Sequence, residues 1–131
     1  MCAVLIIDDN DEIREIIAGI LADVGHTSYE AANGREGLKW LVEQNDPPCI
    51  VLLDLKMPVM DGWDFLRAVK DEPRWATVSI IVISASLHEA MPDDVVPAKA
   101  YWAKPVDAKN IADVHLYCAA HRDSWRPTST V

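Results

Sequence analysis

The sequence predicts an α/β fold, a doubly wound five-stranded parallel sheet with helices on both faces. Three observations carry that expectation. Short continuous runs of Ile, Val and Leu recur along the chain, and such runs read as strands buried on both faces. Stretches with helical periodicity lie between them, and strands alternating with helices imply parallel neighbours joined by crossovers. The chain has 131 residues, half of them apolar and a quarter charged, which suits one globular domain with a single core.

Ala3–Ile7 is the first strand. The helix after it is marked by Ile13, Ile16, Ile17, Ile20, Leu21 and Val24, which recur at the three-and-four spacing of one helical face. Asn10 is placed to cap its N-terminus, Asp11 and Glu12 suit its first turn, and Gly25 is placed to end it. Thr27–Ala31 reads as a weaker second strand. Asn33 offers the cap of a second helix running to about Gln44, with Leu38, Leu41 and Val42 facing inward. Cys49–Leu53 is the third strand. A third helix starts near Gly62 and stops before Pro73, with Trp63, Leu66 and Val69 on its inner side. Ile80–Ile83 is the fourth strand, Tyr101–Ala103 a short fifth, and Asp107–His121 the last helix. Between the last two strands the alternation breaks down. The segment "ASLHEAMPDDVVPAKA" holds Pro92 and Pro97, and a proline inside a helix costs about 3 kcal/mol or more. A fourth helix is therefore expected to be short, displaced or absent, and Leu87–Ala100 mobile or irregular. Residues 1–121 are read as the domain and residues 122–131 as a polar tail.

Gross composition excludes several function classes. A net charge of -9 argues against nucleic-acid binding, which needs clustered Lys and Arg against phosphates. The longest apolar runs, "AVLII" and "CIVLL", are too short to cross a bilayer, and no signal peptide opens the chain. Cys2, Cys49 and Cys118 lie far apart with no CxxC pairing, so they read as reduced thiols of a cytoplasmic protein. His26, His88, His115 and His121 show no metal-ligand spacing and read as surface or packing residues.

Chemistry concentrates at the strand ends. "LIIDD" ends the first strand with Asp8 and Asp9, and "LLD" ends the third with Asp54. "IVISA" ends the fourth with Ser84, and "YWAKP" ends the fifth with Lys104. In open α/β sheets ligands bind beyond the carboxyl ends of the strands. Three carboxylates meeting there at roughly 5 Å repel by about 3 kcal/mol per pair at an effective dielectric near 20. A hard divalent cation removes that conflict, and Mg2+ suits it because it takes one or two carboxylates and keeps waters that phosphate oxygens can replace. Lys104 can hold a phosphate oxygen as a point charge, and Ser84 can donate a hydrogen bond to one. These are the parts needed for phosphoryl transfer to an aspartate.

The chain resembles the receiver domains of two-component response regulators from Ala3 to about His121. The resemblance rests on the acidic pair Asp8–Asp9, "LLDLKMPVMDG" around Asp54, Ser84–Ala85, Tyr101 and Lys104–Pro105, in that order at the strand ends. It implies a flavodoxin-like sheet with strand order 2-1-3-4-5. It also implies that Asp54 accepts a phosphoryl group from a histidine kinase or histidine phosphotransfer protein. Asp9, Asp54 and the Lys56 backbone carbonyl are implied as Mg2+ ligands, with Asp8 acting through water. Ser84 and Lys104 are implied to bind the phosphoryl oxygens, and Tyr101 to turn inward when Ser84 is drawn to the phosphate. The Lys104–Pro105 bond is implied to be cis. Met57, Pro58, Met60 and Gly62 are read as shaping the loop after Asp54. Trp102 is expected to add bulk to the output face, as a partner contact or a cover for the missing helix.

Because the chain ends soon after the last helix, the expectation is a stand-alone receiver and not an enzyme. Its output is then contact with an unidentified protein or onward transfer of the phosphoryl group. A receiver-like scaffold that needs no phosphorylation stays open as an alternative, because Leu87–Ala100 departs from the family pattern. An aspartyl-nucleophile phosphohydrolase is disfavoured. Haloacid-dehalogenase-type enzymes carry Asp-x-Asp after the first strand, whereas Asp8 and Asp9 are adjacent and the third acid lies on another strand. A flavodoxin-like redox carrier is disfavoured too, since the first strand is not followed by a Ser/Thr/Gly-rich phosphate loop.

Overall fold

A computed structural model describes residues 3–85, 98–107 and 109–114. The elements run β1 (Ala3–Ile7), α1 (Asp11–Asp23), β2 (Thr27–Ala31), α2 (Gly34–Glu43), β3 (Ile50–Asp54), α3 (Gly62–Lys70), a 3-10 turn (Pro73–Trp75), β4 (Ser79–Ser84) and β5 (Ala100–Ala103). Residues 109–114 are helical. The five strands form one parallel sheet in the order β2-β1-β3-β4-β5, as the resemblance implies. The expected irregularity of Leu87–Ala100 falls mainly on residues 86–97, outside the described residues. So does the end of the last helix.

Covered on both faces, the central strands β3 and β4 are buried at every position. The sheet separates two apolar clusters. Val4, Ile6, Leu52, Ile81 and Ile83 meet Ile17 and Leu21 of α1 and Ile111 and Val114 on one face. Leu5, Ile7, Val51, Leu53 and Val82 meet Leu41 of α2 and Phe65, Leu66 and Val69 of α3 on the other. Each fully buried side chain of this kind is worth about 1.5–3 kcal/mol, so the strand ends are held by the best-packed part of the molecule.

The helices differ from expectation in which residues face inward. Asn10 caps α1, its side chain accepting a hydrogen bond from the Ile13 amide. Only Ile17 and Leu21 are buried; Ile16 is 61% exposed, and Val24, the C-cap, is exposed as well. The six-residue stripe is broader than the contact a helix makes on one side of a sheet. In α2, capped by Asn33, Leu41 is buried but Val42 is exposed. Gly37 takes the inward place instead, so close to β1 that a Cβ there would lie 2.4 Å from Ile7 Cδ1. In α3, capped by Asp61, Phe65 is fully buried although periodicity did not select it. The expectation for Trp102 is also corrected. It is 7% exposed, pairs with Ile83 and packs with Ile111 and Val114 in the α1-side core. It is a core residue, because side chains alternate along β5 and Trp102 falls on the same face as Ala100, against the α1-side layer, while Tyr101 and Ala103 are exposed. His26 is buried, and the thiol of Cys49 is free and half-buried against the same core. Among the described residues no helix is long and apolar enough to cross a membrane.

Candidate functional site

β1 and β3 run in step, Ile7 opposite Leu53, so the next residues, Asp8 and Asp54, leave the sheet from one row at one edge. Asp54 is the last residue of β3, paired with Ile83. Asp54 is 5% and Asp8 2% exposed, while Asp9 is exposed. Oxygens of Asp8, Asp9 and Asp54 lie within 4.8 Å of one another. Lys104, just beyond β5, reaches the same edge. Its Nζ is 3.1 Å from Asp8 Oδ2 and 3.3 Å from Asp54 Oδ1. The structure therefore brings together Asp8, Asp9, Asp54 and Lys104.

Ser84 is buried at the end of β4, one step beyond Ile83 and opposite Ala103. Tyr101 lies opposite Val82, two steps short of that edge, and is 41% exposed. The Lys104–Pro105 bond is cis.

Asp8 is tethered at every polar group. Its Oδ1 accepts from the Asn10 amide at 2.9 Å, its amide donates to the Ala31 carbonyl at 3.1 Å, and its carbonyl accepts from Arg14 Nη1 at 2.6 Å. Asp9 has no such anchor: among the described residues no hydrogen bond holds its carboxylate. Arg14 escaped the sequence reading. A cation near the positive end of a helix dipole was the available signal, since that placement is locally unfavourable and asks for a tertiary reason.

Burial pushes the Asp54 carboxyl up, and repulsion by Asp8 adds to it; Lys104 and the Lys56 amide pull the other way, leaving it at about 6. Burial alone lowers the Lys104 ammonium, but attraction to Asp54 and then Asp8 outweighs it, and the pKa ends above its ordinary value. Near neutral pH Asp54 is mostly ionised and Lys104 is charged.

The loop after Asp54 is pinned at several points. The Gly62 amide donates to the Leu55 carbonyl at 2.9 Å, and the Gly34 amide, opening α2, donates to the Met60 carbonyl at 3.0 Å. The Met60 amide donates to the Pro58 carbonyl at 2.8 Å across Val59, whose φ is +68°. This is a γ-turn of the rarer, strained hand, and a β-branched residue there is an outlier.

Comparison with known proteins matches this architecture. The family model described as response regulator receiver domain matches residues 4–115. Sporulation initiation phosphotransferase F of Bacillus subtilis is 31% identical over 110 residues, 84% of this chain and 87% of that protein. Probable chemotaxis protein CheY of Rhizobium etli is 34% identical over 89 residues, covering 67% of each. Sensor histidine kinase CheAY of Helicobacter pylori matches at 37% over 82 residues, and there the match spans only 10% of the relative's length. Among solved structures, a CheY-like receiver domain protein from Methanospirillum hungatei superposes with a TM-score of 0.77 at 28% identity, covering 92% of this chain and 97% of that one.

Proposed function

The chain belongs to the response regulator receiver domain family, and from that premise we propose that Asp54 accepts a phosphoryl group from a histidine kinase or histidine phosphotransfer protein. One observation carries the reading. Carboxylates from β1 and β3 share a rim within 4.8 Å, and one ammonium lies 3.1 and 3.3 Å from two of them.

An all-oxygen donor set, with Asp9 open to solvent, suits a hard and partly hydrated cation such as Mg2+. Asp9, Asp54 and the Lys56 backbone carbonyl would hold it. Asp8, engaged at its two oxygens by the Asn10 amide and Lys104, would act through water. A Mg2+ ion held there would supply neutralisation of charge on the oxygens of the transferring group.

The remaining work falls to the chain's own residues. A carboxylate oxygen of Asp54 attacks phosphorus, the P–N bond of the phosphohistidine breaks, and its electron pair stays on the imidazole nitrogen. Lys104 exchanges part of its contact with Asp54 for a phosphoryl oxygen, and the Ser84 hydroxyl donates to another. The dianionic phosphoryl group replaces a singly charged carboxylate, and its oxygens draw Ser84 in and let Tyr101 turn inward, which changes a surface that a partner protein reads. We place this chemistry in the cytoplasm, where a free thiol such as Cys49 persists.

Incubation with Mg2+ and acetyl phosphate, followed by intact-mass measurement, tests the reading. The wild type should gain one acid-stable, base-labile phosphoryl group, and Asp54→Asn should gain none. No adduct on the wild type would favour a scaffold that works unphosphorylated. Rapid consumption of the donor without an adduct would favour a phosphohydrolase.

A further inference from the structure

We propose that Arg14 is a positioning residue for the metal site: it sets the direction of the Asp9 carboxylate by clamping the peptide that joins Asp8 to Asp9. The inference rests on the reading of the rim as a Mg2+ site. Arg14 stands one turn into α1, and its side chain runs back over the helix N-terminus and is only 13% exposed. Its guanidinium joins three separate segments. Nη1 donates to the Asp8 carbonyl at 2.6 Å, Nε to Glu30 Oε1 on β2 at 3.3 Å, and Nη2 to the Asp11 carboxylate.

The Asp8 carbonyl belongs to the same planar peptide unit as the Asp9 nitrogen. Fixing that carbonyl fixes the plane and with it the axis from the Asp9 nitrogen to its Cα, and the Asn10 amide, donating to Asp8 Oδ1 at 2.9 Å, limits rotation about that axis; together they set the direction in which the Asp9 side chain leaves the backbone. Asp8 has other anchors, through Asn10, Ala31 and Lys104. The Asp9 side chain has none among the described residues, so its aim depends on the backbone beneath it.

Geometry, not charge, is what Arg14 contributes. Its one positive charge faces two carboxylates, Asp11 and Glu30, which offset its field at the rim. A guanidinium can donate in three directions from one plane, whereas a lysine ammonium on a flexible stem cannot reproduce that fork. Two results follow. Lysine at this position should fail to substitute, and removing the cation should weaken rather than strengthen cation binding. Mg2+ demands near-ideal octahedral geometry while Ca2+ tolerates varied arrangements, so a misdirected Asp9 should penalise Mg2+ more.

Titration calorimetry with Mg2+ and with Ca2+ on the full chain, for wild type, Arg14→Ala and Arg14→Lys, tests this. Urea unfolding in EDTA accompanies it to show that each variant is folded. Both variants are expected to bind Mg2+ about tenfold more weakly, with a clearly smaller loss for Ca2+. Arg14→Lys matching wild type, Arg14→Ala binding Mg2+ as well or better, or equal losses for the two ions would each overturn the inference. So would a loss of stability with an unchanged Mg2+ Kd, which marks a merely structural role. A wild type that binds no Mg2+ overturns the metal reading itself, and this inference with it.

Discussion

On the proposed reading Asp54 must be ionised to react, yet it is 5% exposed, and these demands conflict. Folding without a divalent cation raises its pKa from the ordinary 3.8 to about 6, so the native state holds the proton more tightly than the unfolded chain does. The stability tied to that proton is complete below about pH 4, falls as pH rises, and is lost above about pH 6. The shift at Lys104 acts only above its ordinary 10.5 and leaves this window untouched. Asp54→Asn removes the cost of the buried charge. In EDTA at about pH 7.5 the variant should exceed wild type by up to about 3 kcal/mol, and the gap should close near pH 4. Urea unfolding at both pH values measures it, and an equal gap at both would rule out this origin. The acids and Lys104 were legible in the sequence because a charge at the end of an apolar run is costly and therefore informative. Arg14 was not, since beyond its helix neighbour Asp11 it is held by a backbone carbonyl and a side chain sixteen residues away. Nor was the backbone of Val59, which adopts a conformation against its own preference.

Helix α3 is seated against the end of β3 through its first residue. A Cβ on Gly62 would lie 2.6 Å from the Asp54 carbonyl oxygen and 2.8 Å from Leu55 Cα, both backbone atoms with no room to give. Gly62→Ala should therefore cost about 1–3 kcal/mol and weaken Mg2+ binding by displacing the strand end that carries Asp54. Gly19 offers the opposite case, with nothing within 4 Å of its Cβ position inside α1. Gly19→Ala should stabilise by roughly 1 kcal/mol and leave Mg2+ affinity unchanged. Denaturation curves and a Mg2+ titration on both variants check the contrast; equal signs would mean that α3 slides freely on the sheet. At this scale the sequence was read well for strands and less well for helix faces. The strands agree with expectation to within one residue at either end, in β1, β3 and β4 because a continuous Ile, Val and Leu run has few other uses. Ile16, Val42 and Phe65 were misplaced because a helix on a sheet buries a stripe whose direction is set by the crossing, not by its own periodicity.

In the molecule as a whole, a cation held at the rim as proposed would tie binding to global stability. A cation that binds only the folded state at one hundred times its Kd adds about 2.7 kcal/mol, which should raise Tm by several degrees. Asp9→Asn should lose most of that rise while melting like wild type in EDTA, since its exposed carboxylate has little to do with packing. Differential scanning calorimetry with and without Mg2+ decides it, and a rise that survives the substitution would remove Asp9 from the ligand set. The parallel topology was legible because alternating elements leave few arrangements that bury both faces of a sheet. The place of Trp102 was not, because whether a large side chain covers a core or greets a partner depends on what lies across the sheet. That sheet also acts as an optical partition. Trp102 lies in the layer on one side, and Trp40, Trp63 and Trp75 pack into the layer on the other. A chain stripped of Trp102 and Trp125, set beside one keeping Trp102 alone, would let fluorescence follow the two sides of a single sheet separately as they melt.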